Sequence, residues 1–374
     1  LGFRFHRNNA VSSHSPVMAA APPRPGVWLC RRPSRCVAAV PGAETGRHRF
    51  MVGTCDLQNQ NEIHLVEFSE ETAEIACKHT IPTDDEVWLI SPSPTDSRVV
   101  LTSGLCHSGG KNSPSLRLFR IENGEATQQP LVTDEEHPLS TVKTAVWDPH
   151  QAAAILIADS EAVHTFHGAS ASGGGRLVHQ STLHVGQRCM GACLDPHHRH
   201  QLSTVDDGHL KTWDLRSSRL AFRKDGAHLF GAKDVDYNPN VPYQVLTTGE
   251  DACLRFWDLR QLSSCLRSLS GGHHHWVVRS RYNAHHDQLV LSCGTDSMLC
   301  LWRISSVASA PLGAKGQDAA KSPDGLIRKY EEHEDSCYSC CWSASDAWAF
   351  ASVSFDGKLV VNRVPGEEKY RILM

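Results

Sequence analysis

The chain has 374 residues, with 37 Lys and Arg against 41 Asp and Glu, a formal net charge of −4 and a pI of about 6.7. That balance, with no Lys/Arg cluster in the body of the chain, argues against nucleic acid or an anionic membrane as the main partner, and no apolar run approaches the roughly 18 residues of a membrane span. The 14 cysteines lack the short regular spacing of a small secreted scaffold and read as reduced thiols of a cytosolic protein.

Residues 1–49 carry Arg4, Arg7, Arg24, Arg31, Arg32, Arg35, Arg47 and Arg49 against one acid, Glu44. Arg-rich and acid-poor is the composition of a transit peptide. Translated upstream sequence, with Met18 as the true start, is the plainer reading. Residues 1–26 are therefore set aside as a non-native or disordered extension, and 27–374 are expected to form one domain. The stretch "FMVGTCDLQNQNEIHLVEF" (50–68) reads as two strands around a polar loop. Near Thr102 a second strand is followed by the loop "CHSGGKNSPS" and then by "LRLFR". Asp159 stands at a turn, and "GASASGGG" (168–175) is a flexible connection. Further on, "SSVASAPLGAKGQDAAKSPDG" (305–325) is poor in large apolar residues and reads as a disordered loop.

A period emerges in the second half. His184, Ser203, Asp207 and Trp213 form one set. His228, Thr247, Asp251 and Trp257 form another, and His273, Ser292, Asp296 and Trp302 a third. The fourth is His333, Ser352, Asp356 and Asn362. In every set the steps are 19, 4 and 6 (203 − 184, 207 − 203 and 213 − 207 in the first). A second marker recurs at Ser91-Pro92, Asp148-Pro149, Asp195-Pro196, Asn238-Pro239, Asn283-Ala284 and Ser343-Ala344, where a first strand should end. Six markers plus the unit at 50–68 make about seven repeats.

These spacings resemble the WD-repeat family, whose repeats of about 40–45 residues are four-stranded propeller blades. The resemblance implies an all-β WD-repeat β-propeller of about seven blades. It also implies a hydrogen-bonded chain in each set, in which the carboxylate accepts from the His, a hydroxyl links His to Trp, and the indole donates. Fully satisfied, such a chain pins strand register. Asn362 keeps a donor but loses the packing of an indole.

"YEEHEDSCYSCCWSASDAW" (330–348) places Cys337, Cys340 and Cys341 on a predicted first strand. Strict alternation sends Cys337 and Cys340 to opposite faces. Cys337 and Cys341 share a face about 13 Å apart, too far for a disulfide or one zinc. They read as small core or edge residues. "HHHW" (273–276) and "HHRH" (197–200) read as surface-loop histidines and not as a metal site. No P-loop, zinc-protease helix or nucleophile elbow is present, so neither enzyme activity nor a cofactor is expected.

"YEEHEDSCYSCCWSASDAWAFASVSFDGKLVVNRVPGEEKYRILM" (330–374), "VRSRYNAHHDQLVLSCGTDS" (278–297), "AHLFGAKDVDYNPN" (227–240), "DPHHRH" (195–200), "EVWLISPSP" (86–94) and "RHRFMVGTCDLQNQNEIHLVEF" (47–68) are similar to the EARP- and GARP-interacting WD-repeat family. That resemblance implies a non-catalytic monomeric adaptor that binds the two related multisubunit tethers, EARP and GARP. It would be cytoplasmic, peripheral to the trans-Golgi network and recycling endosomes, and would help place the tethers on membranes for endosomal recycling and endosome-to-Golgi return. A competing reading comes from the two Trp-Asp-Leu-Arg ends. These resemble the box of propellers that serve as substrate receptors of a cullin-RING ubiquitin ligase, where Arg216 and Arg260 would face the ligase adaptor. An Arg after Trp-Asp can equally cap a strand end and pair with a nearby acid. Trp276, three residues after His273, is a candidate anchor for a tether, since an aromatic near the repeat His suits a binding hot spot; the other reading packs it between blades.

Overall fold

The computed structural model describes residues 24–374 except 109–110, 123–124, 130, 133–138, 152, 169–176, 187 and 311–323. The expectations for residues 1–23, for most of 168–175 and for the middle of 305–325 fall outside the described residues.

Among the described residues seven sheets, antiparallel except where Leu131–Val132 runs parallel to Leu177–Val178, form a seven-bladed β-propeller. The innermost strands are Ser34–Val40, Leu89–Pro92, Val142–Trp147, Gly191–Leu194, Ala232–Tyr237, Val277–Tyr282 and Cys337–Trp342, and each packs beside the next around the ring. Polarity falls and then rises along each blade. Second strands such as Leu289–Gly294 and Ala349–Ser354 are buried along their whole length, whereas the outermost strand Arg219–Lys224 is mostly exposed. This is why the second strands read as continuous apolar runs and the outer ones do not. Seven hydrophobic clusters fill the seven gaps between neighbouring blades. Phe50, Phe68 and Val361, for example, join the first blade to the last.

The last blade supplies three strands from the C-terminal part of the chain and takes its fourth from the other end. Gly26–Leu29 pairs antiparallel with Lys358–Val361. Gly26, one residue before the expected boundary at 27, is thus part of the ring. Gly357 turns into this pairing at φ 81°, and a Cβ there would lie 2.2 Å from the Arg32 carbonyl oxygen, so the position needs glycine. After the ring, the helix Gly366–Leu373 folds back; buried Glu368 pairs with Arg303 and, at 2.9 Å, with Arg371.

Two expectations change. The predicted loop after Thr102 is largely strand, because Val99–Ser108 and Lys111–Glu122 pair as one long hairpin. The segment 305–325 is anchored at both ends: Asp287 accepts hydrogen bonds from the backbone N–H and hydroxyl of Ser309 at 2.7 and 2.8 Å, and Arg267 pairs with Asp324 at 2.9 Å.

Deleting residues through Leu29 leaves Lys358–Val361 as an open edge. The truncated protein is expected to melt lower and to associate as its concentration rises, measured by circular dichroism melts and sedimentation. An unchanged melt would mean that the closing pair carries no stability.

Candidate interaction surface

Two of the four repeat sets assemble as spaced. In blade five the indole of Trp257 donates to the Thr247 hydroxyl at 2.9 Å, Thr247 lies 2.8 Å from His228 Nε2, and His228 Nδ1 lies 2.8 Å from Asp251. In blade six Trp302 donates to Ser292 at 2.7 Å, and Ser292 and Asp296 hold the two nitrogens of His273 at 2.8 and 3.1 Å. Burial pushes the Asp251 carboxyl up, but His228, the Leu229 N–H and Arg255 together hold it well below the usual carboxylate range.

The fourth set assembles with an extra member. His333 bonds Ser352 and Ser354 at 2.7 Å each, and Ser354, not His333, donates to Asp356. Asn362 Nδ2 is buried with no hydrogen-bond partner, so the indole's role goes unfilled.

The first set does not assemble. His184 is exposed at the end of the outer strand Leu177–His184 of blade three. Asp207 is exposed and pairs with Arg188 at 3.4 Å. Trp213 donates to Thr204, not Ser203, at 2.9 Å. The cause is a turn one residue shorter than in the next blade: Val205 pairs with Leu210, whereas Thr248 pairs with Leu254. A one-residue slip moves a strand's side chains to the opposite face, so Ser203 instead meets the hydroxyls of Tyr237 and Thr212 at 2.7 Å. Blade three uses a different histidine: His164, on its third strand, lies 3.2 Å from Asp159.

The thiols are arranged differently from strict alternation. The inner strand of blade seven carries a β-bulge between Cys337 and Ser339. The extra residue returns Cys340 to the face of Cys337, and both join Cys293 in one core cluster. The contact with Cys293 and burial together push the Cys340 thiol far up, so Cys340 is an inert core thiol. Two of the histidines at 197–200 hold the corner in place. His197 Nε2 lies 2.8 Å from the Asn238 carbonyl of the next blade, and His198 bonds Asp195 at 2.9 Å.

The same bulge recurs at the second residue of the inner strand in five blades, at Arg35, Lys143, Lys233, Val278 and Tyr338. All five line a cavity of about 360 Å³ at the mouth of the central channel, joined by Trp88, Met190, Trp276 and Arg279. A bulge re-aims a side chain, and here it turns one residue per blade into the channel. Trp276 stands on this rim, 40% exposed, with Lys233 Nζ 4.7 Å from its ring centre. Arg35 lies between Trp88 and Tyr338, at 5.1 and 4.6 Å from their ring centres. A second cavity, of about 350 Å³, includes Val146, Cys193, Asp236 and Arg281. Burial holds the Asp236 carboxyl up to about 6.

Arg216 and Arg260 do not line the mouth. Arg260 forms a two-point pair with Asp258, at 3.0 and 2.7 Å, and Arg216, 80% exposed, donates its backbone N–H to Asp214 at 2.9 Å. The Arg260 side chain thus caps its own strand end, whereas at Arg216 the capping group is Asp214 and the guanidinium stays in solvent. The linear sequence gave no signal for the channel residues Arg35, Lys143, Lys233 and Arg279; only the position of each along its inner strand could have grouped them.

The model of the EIPR1 beta-propeller family matches residues 29–302, and that of the WD domain, G-beta repeat, matches residues 324–361. The chain is 33% identical over 368 residues to the EARP and GARP complex-interacting protein 1 of Homo sapiens, covering 89% of this chain and 94% of that protein. It is 32% identical over 365 residues to the protein of the same name from Rattus norvegicus, with the same coverage. To the EARP-interacting protein 1 of Caenorhabditis elegans it is 28% identical over 357 residues, covering 91% of this chain and 96% of that protein.

Asp251→Ala is expected to cost about 2–4 kcal/mol in chemical denaturation, because it strands buried donors, whereas exposed Asp207→Ala should stay within about 0.5 kcal/mol. Equal losses would contradict the different roles of the two acids. Burial lowers the pKa of His333 from 6.5 to about 4. The folded state therefore binds fewer protons than the unfolded one. The stability from this group is full above about pH 6.5 and falls towards pH 4, by on the order of 3 kcal/mol. His333→Gln should flatten denaturation midpoints across that window, and an unaltered slope would assign it to other groups.

Proposed function

The chain belongs to the EIPR1 beta-propeller family, and from that premise we propose that it is a non-catalytic adaptor for the EARP and GARP complexes. It would act at the trans-Golgi network and recycling endosomes, helping to recruit the tethers to membranes in endosomal recycling and endosome-to-Golgi return. The observation that carries this reading is likeness along nearly the whole chain to a human protein named for interacting with those complexes. The fold agrees with such a role without dictating it, since propellers serve many functions. A rigid ring presents several blades' loops at one mouth, and Trp276 supplies an exposed aromatic there. Among the described residues no helix is long and apolar enough to cross a membrane, so membrane placement in this reading comes through the partner.

The test is affinity capture of the tagged chain, residues 18–374, with mass spectrometry of the recovered proteins. Enrichment of subunits shared by the two complexes is expected, and their absence would remove the reading. Trp276→Ala should cut recovery by about tenfold or more, the effect of losing a hot-spot aromatic, while leaving the melting temperature in place. Full recovery by the variant would take Trp276 out of the contact.

A further inference from the structure

The channel mouth holds more positive charge than its surroundings balance. Arg35, Lys143, Lys233 and Arg279 all line the one cavity. Of these, Lys233 has an acid partner, Glu250 at 2.6 Å. The other nearby acids are committed elsewhere. Asp234 takes Arg281 at 2.7 Å, and Glu86 takes the Trp88 indole at 2.6 Å as well as His107. Among the described residues no carboxylate lies within ion-pair distance of Lys143, Arg279 or Arg35. Lys143 is held below the usual lysine range by burial first and then by Arg35 and Lys233. Unpaired cations gathered in a cleft cost stability and are a common mark of a ligand site.

The walls narrow the choice of ligand. Trp88, Trp276, Tyr338, Leu89 and Val278 alternate with the cations. A bare polyphosphate would leave this apolar surface unused. An acidic side chain with apolar neighbours would use both kinds of wall. The bulges at Lys143 and Lys233 matter for the same reason, since each spends a regular ladder position to place a cation at the axis.

We propose that the channel mouth binds an acidic, apolar-flanked peptide segment of a partner protein, with Lys143 and Arg279 as the counterions of its carboxylates. The tether reading enters only as the source of that segment. The full-length protein is applied to an array of short peptides that place Asp or Glu at each position among Leu, Trp and Ser, with Asn and Gln counterparts as controls. Acidic peptides are expected to be retained at least about tenfold better than their amides, with the preference shrinking as salt rises. Lys143→Met with Arg279→Met abolishes the preference and leaves the melting temperature equal or higher, because it removes unpaired charge. Asp207→Ala leaves both unchanged.

Equal retention of acids and amides overturns the proposal, as does an undiminished preference in the double variant. Inositol hexakisphosphate bound at the mouth in place of any acidic peptide overturns it in favour of a phosphate site. Capture from lysate separates this proposal from the tether reading. If the wild-type chain and the double variant recover the tethers equally and neither discriminates on the array, this proposal falls while the tether reading stands. If the wild type recovers no tether subunit but discriminates on the array, the tether reading falls and the site stands.

Discussion

The backbone pairing of Gly26–Leu29 with Lys358–Val361 turns a row of seven blades into a ring. A row has two open edges and no enclosed axis. A ring protects its strand edges and fixes the seven inner strands around one channel. The cavity at the mouth is lined from all seven blades, so its shape depends on the inner strands of the first and last blades meeting around the axis. The packing repeats the same logic: each hydrophobic cluster is shared by two neighbours, and the one joining blade seven to blade one depends on closure.

Within the ring, a few buried hydroxyls set the strand pairing. Thr247 and Ser292 each receive an indole on one side and meet a histidine on the other, so both flanking elements are held to one register. Blade seven reaches a similar end with two serines, and blade three with a histidine from its own third strand. The constraint common to all of them is that buried polar groups find partners. Asn362 departs from this within its repeat set, and it sits in the blade whose fourth strand comes from the far end of the sequence.

The architecture was legible because it repeats. The His, Ser/Thr, Asp and Trp spacing and the Asp-Pro or Asn-Pro corners report blades directly, and those corners lie just past the inner strands as expected. The failures have physical causes. The first set matched the spacing by coincidence, since a turn shortened by one residue put Thr204 where Ser203 was expected. The bulge in Cys337–Trp342 defeated strict alternation. The closing strand, Gly26–Leu29, is too short to announce itself beside Arg24 and Pro25. The mouth was least legible: Lys143 and Lys233 are ninety residues apart (233 − 143) and share only a bulged position on inner strands two blades apart.

The distance between the two halves of the closing pair also bears on how the protein is made. Val27 faces Val360, 333 residues further along (360 − 27). At about 5–20 residues per second, the ribosome needs tens of seconds to supply the partner strand. During that time six blades can fold in order, each against the one before it. Until then Gly26–Leu29 must wait, extended and largely apolar, without the strand it pairs with. Biogenesis therefore has a vulnerable interval at its start and a single decisive step at its end, and a chaperone that shields this early strand would act on the one element that no amount of vectorial folding can bury.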